Sequence, residues 1–466
     1  MKQRTLHVST IVIMAVCAHL FAEPKPGEVF RVYHKHAPRW IVSNCGASYC
    51  HGNSPHTSTF DIDINNATRI ELAIDLWGGH IGSKKTVEIN GGSPVELVQP
   101  NTPTSPECYY YDFQGAFMEL PLSQFKNGRN DLTFRAGSVG GCKGQGAKGW
   151  YWLYSLTMYV YYDAGAVTHT TGSVVSPGSG AAIADNPQFS LELDGSAADV
   201  DSVIYICRYD DFPYKGTGVY RDWHFRQTPR SYSFNSAGVS TAAPYTATWD
   251  TEWIPDQPNS MNVAAWIVRK DGIRFMTRAV DGITFNRNRS IRMYKPSNVS
   301  EKFGSAFVRT CDVPIGDDVT QASRAILRLS TWSGGGDTPH RVWINETLIP
   351  GTKGAFHKPA IIRNDIPLDA LRKGNNEFKI DKNKSGVHAF EINWPGPVFF
   401  VEYEKMVDIR SKSTHAQRVT IRGRRPARYY RPDGRRIVTT RSARHGVVLF
   451  VGAHGRIAGC TVHLAK

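Results

Sequence analysis

The sequence predicts an all-β protein, and three observations carry the expectation. Apolar residues alternate with polar ones in short runs: Ile70, Leu72, Ile74 and Leu76 interleave with Glu71, Ala73 and Asp75, and Val87 and Ile89 flank Glu88. Period two is the pattern of a half-buried strand. Gly and Pro punctuate the chain, and no long stretch sustains a capped helical period. The alternating pattern also occurs twice. Residues 67–91 align without a gap on 322–346, sharing Ala67/Ala322, Arg69/Arg324, Leu72/Leu327, Trp77/Trp332, Gly79/Gly334, Val87/Val342, Ile89/Ile344 and Asn90/Asn345.

The duplication sets the domain layout. Leu120-Pro121-Leu122, Gly128 and Asn130 recur as Ile366-Pro367-Leu368, Gly374 and Asn376, and Trp152 and Tyr161 match Trp394 and Tyr403. Each copy therefore spans roughly a hundred residues or more, a whole domain rather than a solenoid repeat. The first copy is placed at 23–165 and the second at 288–405. Between them, 166–287 opens on a Ser-, Gly-, Ala- and Pro-rich linker or strand approach at 171–187. Strand runs follow at 189–193, 202–209, 245–249 and 262–269. A hundred residues of short strands suit an immunoglobulin-like sandwich.

Residues 1–22 read as a secretory signal peptide: Lys2 and Arg4, an apolar run over 11–18, then a small-residue end at Ala22. That run is too short to span a bilayer, and no other segment is long enough, so the protein is expected outside the cell or on its outer surface. Disulfides are then permissible. Cys45, Cys50, Cys108 and Cys142 all fall in the first copy, pairing as Cys45–Cys50 with Cys108–Cys142 or in a crossed arrangement. A zinc site on Cys45, Cys50, His51 and His56 is disfavoured by irregular spacing and the oxidising compartment. Asp61 and Asp63 before the first repeat, and Asp317 and Asp318 before the second, could hold a structural calcium ion. Their alternative role is to cap turns.

Nucleophile-elbow and His-Glu-x-x-His motifs are missing. Glu71 with Asp75, and Glu252 with Asp256, could share a strand face as a glycosidase pair requires, but the second copy replaces Glu71 and Asp75 with Ile326 and Ser330. Aromatic residues give the better lead. Tyr110 lies in a Tyr triplet beside Cys108, and Trp150 and Tyr151 follow the Gly-rich stretch 137–149. Flat rigid rings stack on the C–H faces of sugars, so Trp150, Tyr151 and Tyr110 are the expected ligand surface. Trp77 and Trp332, present in both copies, read as packing residues.

Charge is uneven. Of a net +14, a net +12 sits in 407–466, where fourteen Lys and Arg face only Asp408 and Asp433. The folded domains are nearly neutral, which argues against nucleic acid as a partner.

Three resemblances refine this reading. The strands leading to Trp77 and Trp332, the Val-x-Ile-Asn strands, the Gly-x-Asn turns and the final aromatic strands resemble galactose-binding-domain-like jelly rolls, which implies binding modules. Ser176-Pro177-Gly178-Ser179-Gly180, Asn186-Pro187, Ala243-Pro244-Tyr245 and Thr248-Trp249-Asp250 resemble bacterial immunoglobulin-like modules. In 406–466, Tyr430, Gly434-Arg435, the Gly446-initiated apolar run and Gly455-Arg456 resemble, in order, the C-terminal sorting domain of type IX secretion substrates. Together these imply two jelly rolls flanking an immunoglobulin-like sandwich, ahead of a small β tail that engages secretion machinery. The expected function is non-catalytic binding of polysaccharide or cell-surface glycan. A polysaccharide hydrolase or lyase with a site between domains, and a purely structural surface component, are the rival readings.

The tail reading is testable in the native host. Deleting the segment after Met406 is expected to strand the protein in the periplasm. Normal surface arrival with a salt-sensitive loss of polyanion binding would instead make the arginines an electrostatic anchor.

Overall fold

The computed structural model describes residues 24–45, 52–80, 84–97, 110–137, 149–216, 218–225, 235–297, 308–332, 341–351, 359–380, 391–393, 395–404, 447–451 and 457–462. The chain divides into two compact units, Met1–Lys405 and Met406–Lys466. The architecture is all-β, and no helix among the described residues is long and apolar enough to cross a membrane.

The first copy contains β1 (Val29–Cys45), β2 (Gly52–Ser54), β3 (His56–Ile62), β4 (Ala67–His80), β5 (Lys85–Ile89), β6 (Val95–Glu96), β7 (Tyr110–Leu120), β8 (Gly128–Ala136) and β9 (Gly149–Tyr162). A central module follows: β10 (Gly172–Ser176), β11 (Ala182–Ile183), β12 (Gln188–Leu193), β13 (Val200–Asp210), β14 (Arg221–His224), β15 (Gly238–Ser240), β16 (Ala247–Thr248), β17 (Met261–Arg269), β18 (Ile273–Met276) and β19 (Val280–Phe285). The second copy has β20 (Arg289–Tyr294), β21 (Arg309–Ile315), β22 (Ala322–Trp332), β23 (Val342–Ile344), β24 (Thr347–Ile349), β25 (Pro359–Asp365), β26 (Gly374–Ile380), β27 (Glu391–Ile392) and β28 (Val398–Glu404). In the second unit, β29 (Val447–Val451) and β30 (Ile457–Val462) pair as an antiparallel hairpin.

The two copies share one topology. The first stacks sheet β1-β9-β4-β7 on sheet β3-β8-β5-β6, and the second stacks β20-β28-β22-β25 on β21-β26-β23-β24. With β2 and β27 set aside, strands in chain order run 1-8-3-6 in one sheet and 2-7-4-5 in the other, the double Greek key of a jelly roll. Apolar residues of the inner faces fill each sandwich: Leu72, Ile74, Val87, Leu132 and Val160 in one, Leu327, Leu329, Val342, Phe378 and Val401 in the other. The central module has its own core around Phe189, Tyr205, Val263 and Ile267. The stretch 171–187 is part of that sandwich, because it carries β10 and β11, the latter parallel to β19.

The shared Asn residues explain the matching turns. Asn90 and Asn345 adopt left-handed backbone, φ 51° and 52°, which Asn tolerates better than most residues. Asn90 Nδ2 donates to Gln124 O and Asn130 Oδ1, and its Oδ1 accepts from Asp131 N. Asn345 repeats this with Ala370 O, Asn376 Oδ1 and Glu377 N. The buried Asn130 and Asn376 then close the turn before them, each accepting from one backbone N–H, of Lys126 or Arg372, and donating to two carbonyls of that turn; Asn376 also reaches Val313 O. One conserved geometry thus satisfies backbone groups that would otherwise be orphaned.

Two sequence expectations need correction. Ala67 pairs with Tyr162 and Arg69 with Tyr161, whereas Ala322 pairs with Tyr403 and Arg324 with Glu402. The counterpart of Tyr403 is therefore Tyr162, and that of Tyr161 is Glu402. A one-residue slip exchanges faces: Tyr162, like Tyr403, points into its sandwich, and Tyr161 points out of it. Second, the polar positions of β4 do not face water: Glu71, Ala73 and Asp75 are 1%, 8% and 7% exposed. Other modules cover that face.

The covering is built in two ways. β18 pairs with the start of β1, Val29 opposite Phe275, so the sheet of the first copy runs on into the central module. Outward-facing Phe30, Tyr159 and Tyr161 then pack on Trp266, Ile206 and Phe225. Phe212 and Lys215, between β13 and β14, reach both copies. Phe212 inserts among Ile326, Val398 and Phe400, and the Lys215 ammonium lies 5.3 Å from the Phe117 ring centre.

Substituting Asn130 by Ala removes three hydrogen bonds to backbone and substituting Asn376 removes four, and each is expected to lower stability by about 2–4 kcal/mol. Asp in their place keeps the acceptor and loses the donor, so its unfolding midpoint should lie between those of the Ala variant and the unaltered protein. Unchanged midpoints would show that the turns do not need this lock.

Candidate functional site

The outer faces of the corresponding sheets meet at an indole cluster. Trp77 lies near the end of β4, and Trp332 ends β22. Their rings stack on each other, centroids 4.1 Å apart and 22° from parallel. Trp152 lies opposite Trp77 on the neighbouring β9, 4.5 Å from it and 5.2 Å from Trp332. Trp332 Nε1 donates to Tyr154 Oη at 2.7 Å, which fixes the ring edge. The reading of Trp77 and Trp332 as packing residues holds, and they pack on each other. Irregular register between Asp75 and Leu76, opposite Ser155 and Leu153, puts Trp77, Trp152 and Tyr154 on the covered outer face.

Trp150 belongs to the rim of this cluster. It is half-buried, 5.3 Å from Trp77 and 5.4 Å from Trp152. The Arg39 guanidinium sits 4.7 Å from the Trp152 ring centre, at a distance suited to a cation–π contact. Tyr151 does not join them. Alternation along β9 turns it inward, where it is fully buried with its hydroxyl donating to Arg135 O at 3.3 Å; burial pushes that hydroxyl's pKa well up. It is a core residue, and the ligand surface loses it. The wholly buried Lys85 ammonium lies 5.9 Å from the Tyr151 ring centre, and burial pulls it down to about 7. Nothing in the sequence marked this lysine. The backbone of Tyr110 pairs with His80, and its side chain lies outside the described residues.

The remaining candidates have specific places. Asp63 Oδ1 accepts from Asn65 N, and Asp318 Oδ1 from Thr320 N and Oγ1, so both cap turns. Asp317 accepts from Tyr294 Oη, and Asp61 is exposed on β3. No group of three or more His, Cys, Asp or Glu residues placed to hold a metal ion occurs among the described residues. The side chain of Cys45, and Cys50, Cys108 and Cys142, lie outside them. Cys207 and Cys311 are buried free thiols.

Both carboxylate pairs are engaged. Glu71 accepts from Arg69 Nε at 2.8 Å and Tyr161 Oη at 2.5 Å; burial pushes its pKa up, and these two donors pull it back. Asp75 accepts from Ser155 Oγ at 2.6 Å, beside a His34–Thr157 hydrogen bond of 2.8 Å. Glu252 bridges Arg324 and Arg363, and Asp256 takes Arg287 and Ser290.

No family model and no curated protein matches this sequence. Among solved structures, a β-porphyranase of glycoside hydrolase family 86 from the human gut bacterium Bacteroides plebeius is 12% identical over 51% of this chain and 37% of its own, with a TM-score of 0.21. A β-glucuronidase from Ruminococcus gnavus in complex with D-glucuronic acid is 10% identical over 58% of this chain and 48% of its own, with a TM-score of 0.22. Fibronectin(III)-like modules of Clostridium thermocellum CbhA are 13% identical over 47% of this chain and 97% of theirs, with a TM-score of 0.16. This chain thus spans under half the length of the two enzymes, and likeness of this order says nothing of activity.

The junction holds two buried titrating groups. His224 donates from Nε2 to Tyr209 O, and its Nδ1 faces Asn235 Nδ2 at 3.2 Å, an arrangement suited to the neutral ring; burial pulls it from 6.5 to about 4. Asp211, bound to Arg328 at 3.0 Å, is pushed up by burial to about 6. The depressed His224 contributes stability that is present above its unfolded pKa of 6.5 and lost as pH falls through about 4. The raised Asp211 has the opposite sign: its contribution is present below 3.8 and lost as pH rises through about 6. Between pH 6.5 and 4, H224Q should therefore lose less thermal stability than the unaltered protein, and D211N should lose more. Parallel slopes for all three would refute the assignment.

Proposed function

We propose that this protein binds glycan outside the cell, without catalysis, and that Trp150 is its stacking surface. The carrying observation is the half-buried Trp150 ring, braced by Trp77 and Trp152 at the rim of the cluster that joins the two jelly rolls. A ring held by its neighbours loses little freedom on meeting a sugar, which favours stacking. The interlocked core beneath it accounts for two copies of one domain acting as a single rigid support. The basic tail serves delivery to the surface.

Replacing Trp150 by Ala should weaken retention on the bound polysaccharide by about 1 kcal/mol or more, with the unfolding midpoint little changed. A glycan array finds the ligand, and affinity gels measure the loss. Retention that survives W150A in a folded protein would remove Trp150 from the site. Release of reducing sugar across a polysaccharide panel would replace this reading with the hydrolase.

A further inference from the structure

The outer face of the second sheet differs sharply between the two copies. In the second copy, Thr310, Lys379, Trp343 and Leu348 form one row across β21, β26, β23 and β24. The flanking residues Val342, Ile344, Phe378 and Ile380 are fully buried, so this row points away from the core. Trp343 is partly exposed and Leu348 is 45% exposed. Lys379 Nζ lies 5.2 Å and the exposed Arg341 guanidinium 5.6 Å from the Trp343 ring centre. The acidic residues of this face, Asp312 and Glu377, lie directly opposite each other one row further on.

In the first copy the corresponding row is Thr57, Thr133 and Glu88. Thr57 and Thr133 share a hydrogen bond of 2.9 Å, and Glu88 is held by Arg135 at 2.7 Å. That face is polar and internally paired. The same fold position thus carries a paired acid in one copy and an indole flanked by two cations in the other. Neither the sandwich core nor the junction requires the second arrangement.

We infer that this face of the second copy is a separate contact surface for an acidic polysaccharide, with a sugar ring against Trp343 and Leu348 and its carboxylate or sulfate held by Arg341 and Lys379. An indole face suits the C–H face of a pyranose, and adjacent cations select the charged polymer over a neutral one. This surface is independent of Trp150.

The test uses the full chain in affinity gels containing alginate, chondroitin sulfate or a neutral β-glucan, so that the first two separate carboxylate from sulfate. The tail contributes equally to every variant, and differences report the face. Retention by at least one acidic polymer should fall on the order of 5- to 10-fold in W343A and in the double variant R341A/K379A. W343F should keep most of it. Should W343A prove unfolded, R341A/K379A decides alone. The inference is overturned if neither acidic polymer separates R341A/K379A from the unaltered protein, or if RNA is retained and lost in parallel, which would mark an unspecific cationic patch.

Discussion

The folded body depends on burying both faces of one sheet in each jelly roll. A sandwich ordinarily hides one face of each sheet and wets the other. Here the outer faces of β1-β9-β4-β7 and β20-β28-β22-β25 are also covered, by the stack of Trp77 on Trp332, by Phe30 and Tyr161 against Trp266, and by Phe212. This second burial is why the charged side chains on that face come with hydrogen-bond partners. Glu71, Asp75, Asp211 and Arg328 would be destabilising there without their partners.

The electrostatics of the two copies show how a duplicated framework diverges under that constraint. Arg69 and Arg324 occupy one fold position beside the same bulge. Arg69 finds its acid on its own strand, at Glu71, and at Glu28; Arg324 finds it on the neighbouring strand, at Glu402, and at Glu252. The consequence differs in sign. Burial dominates at Glu71 and raises its pKa. At Glu402 burial also acts upward, but Arg324 and Arg289 together hold the carboxyl below its ordinary value.

Much of the fold was legible because it rests on local rules. Period-two alternation marked the strands, and the matched asparagines stand out because Asn90 and Asn345 accept left-handed backbone while Asn130 and Asn376 close a turn with their amides. The site was legible only in part. Trp77 and Trp332 were recognisable as shared packing residues, but no local pattern shows that they touch each other. Tyr151 and Trp150 are chemically alike in sequence, and strand alternation sends one inward and the other to the rim. The tyrosine correspondence failed by one residue for the same reason: a bulge shifts register without leaving a sequence mark. Lys85, His224 and Asp211 were missed because burial by another module is a tertiary fact.

The pairing of β18 with β1 bears on how this molecule can be taken apart. Backbone bonds between Val29–Arg31 and Ile273–Phe275 join segments more than two hundred residues apart, so the start of the first copy is completed by the end of the central one. A fragment cut between β9 and β10 would bare that strand edge together with Phe30, Tyr159 and Tyr161. Such an edge recruits other chains. Dissection into single modules would therefore yield sticky pieces, and the natural unit of expression is the whole triplet.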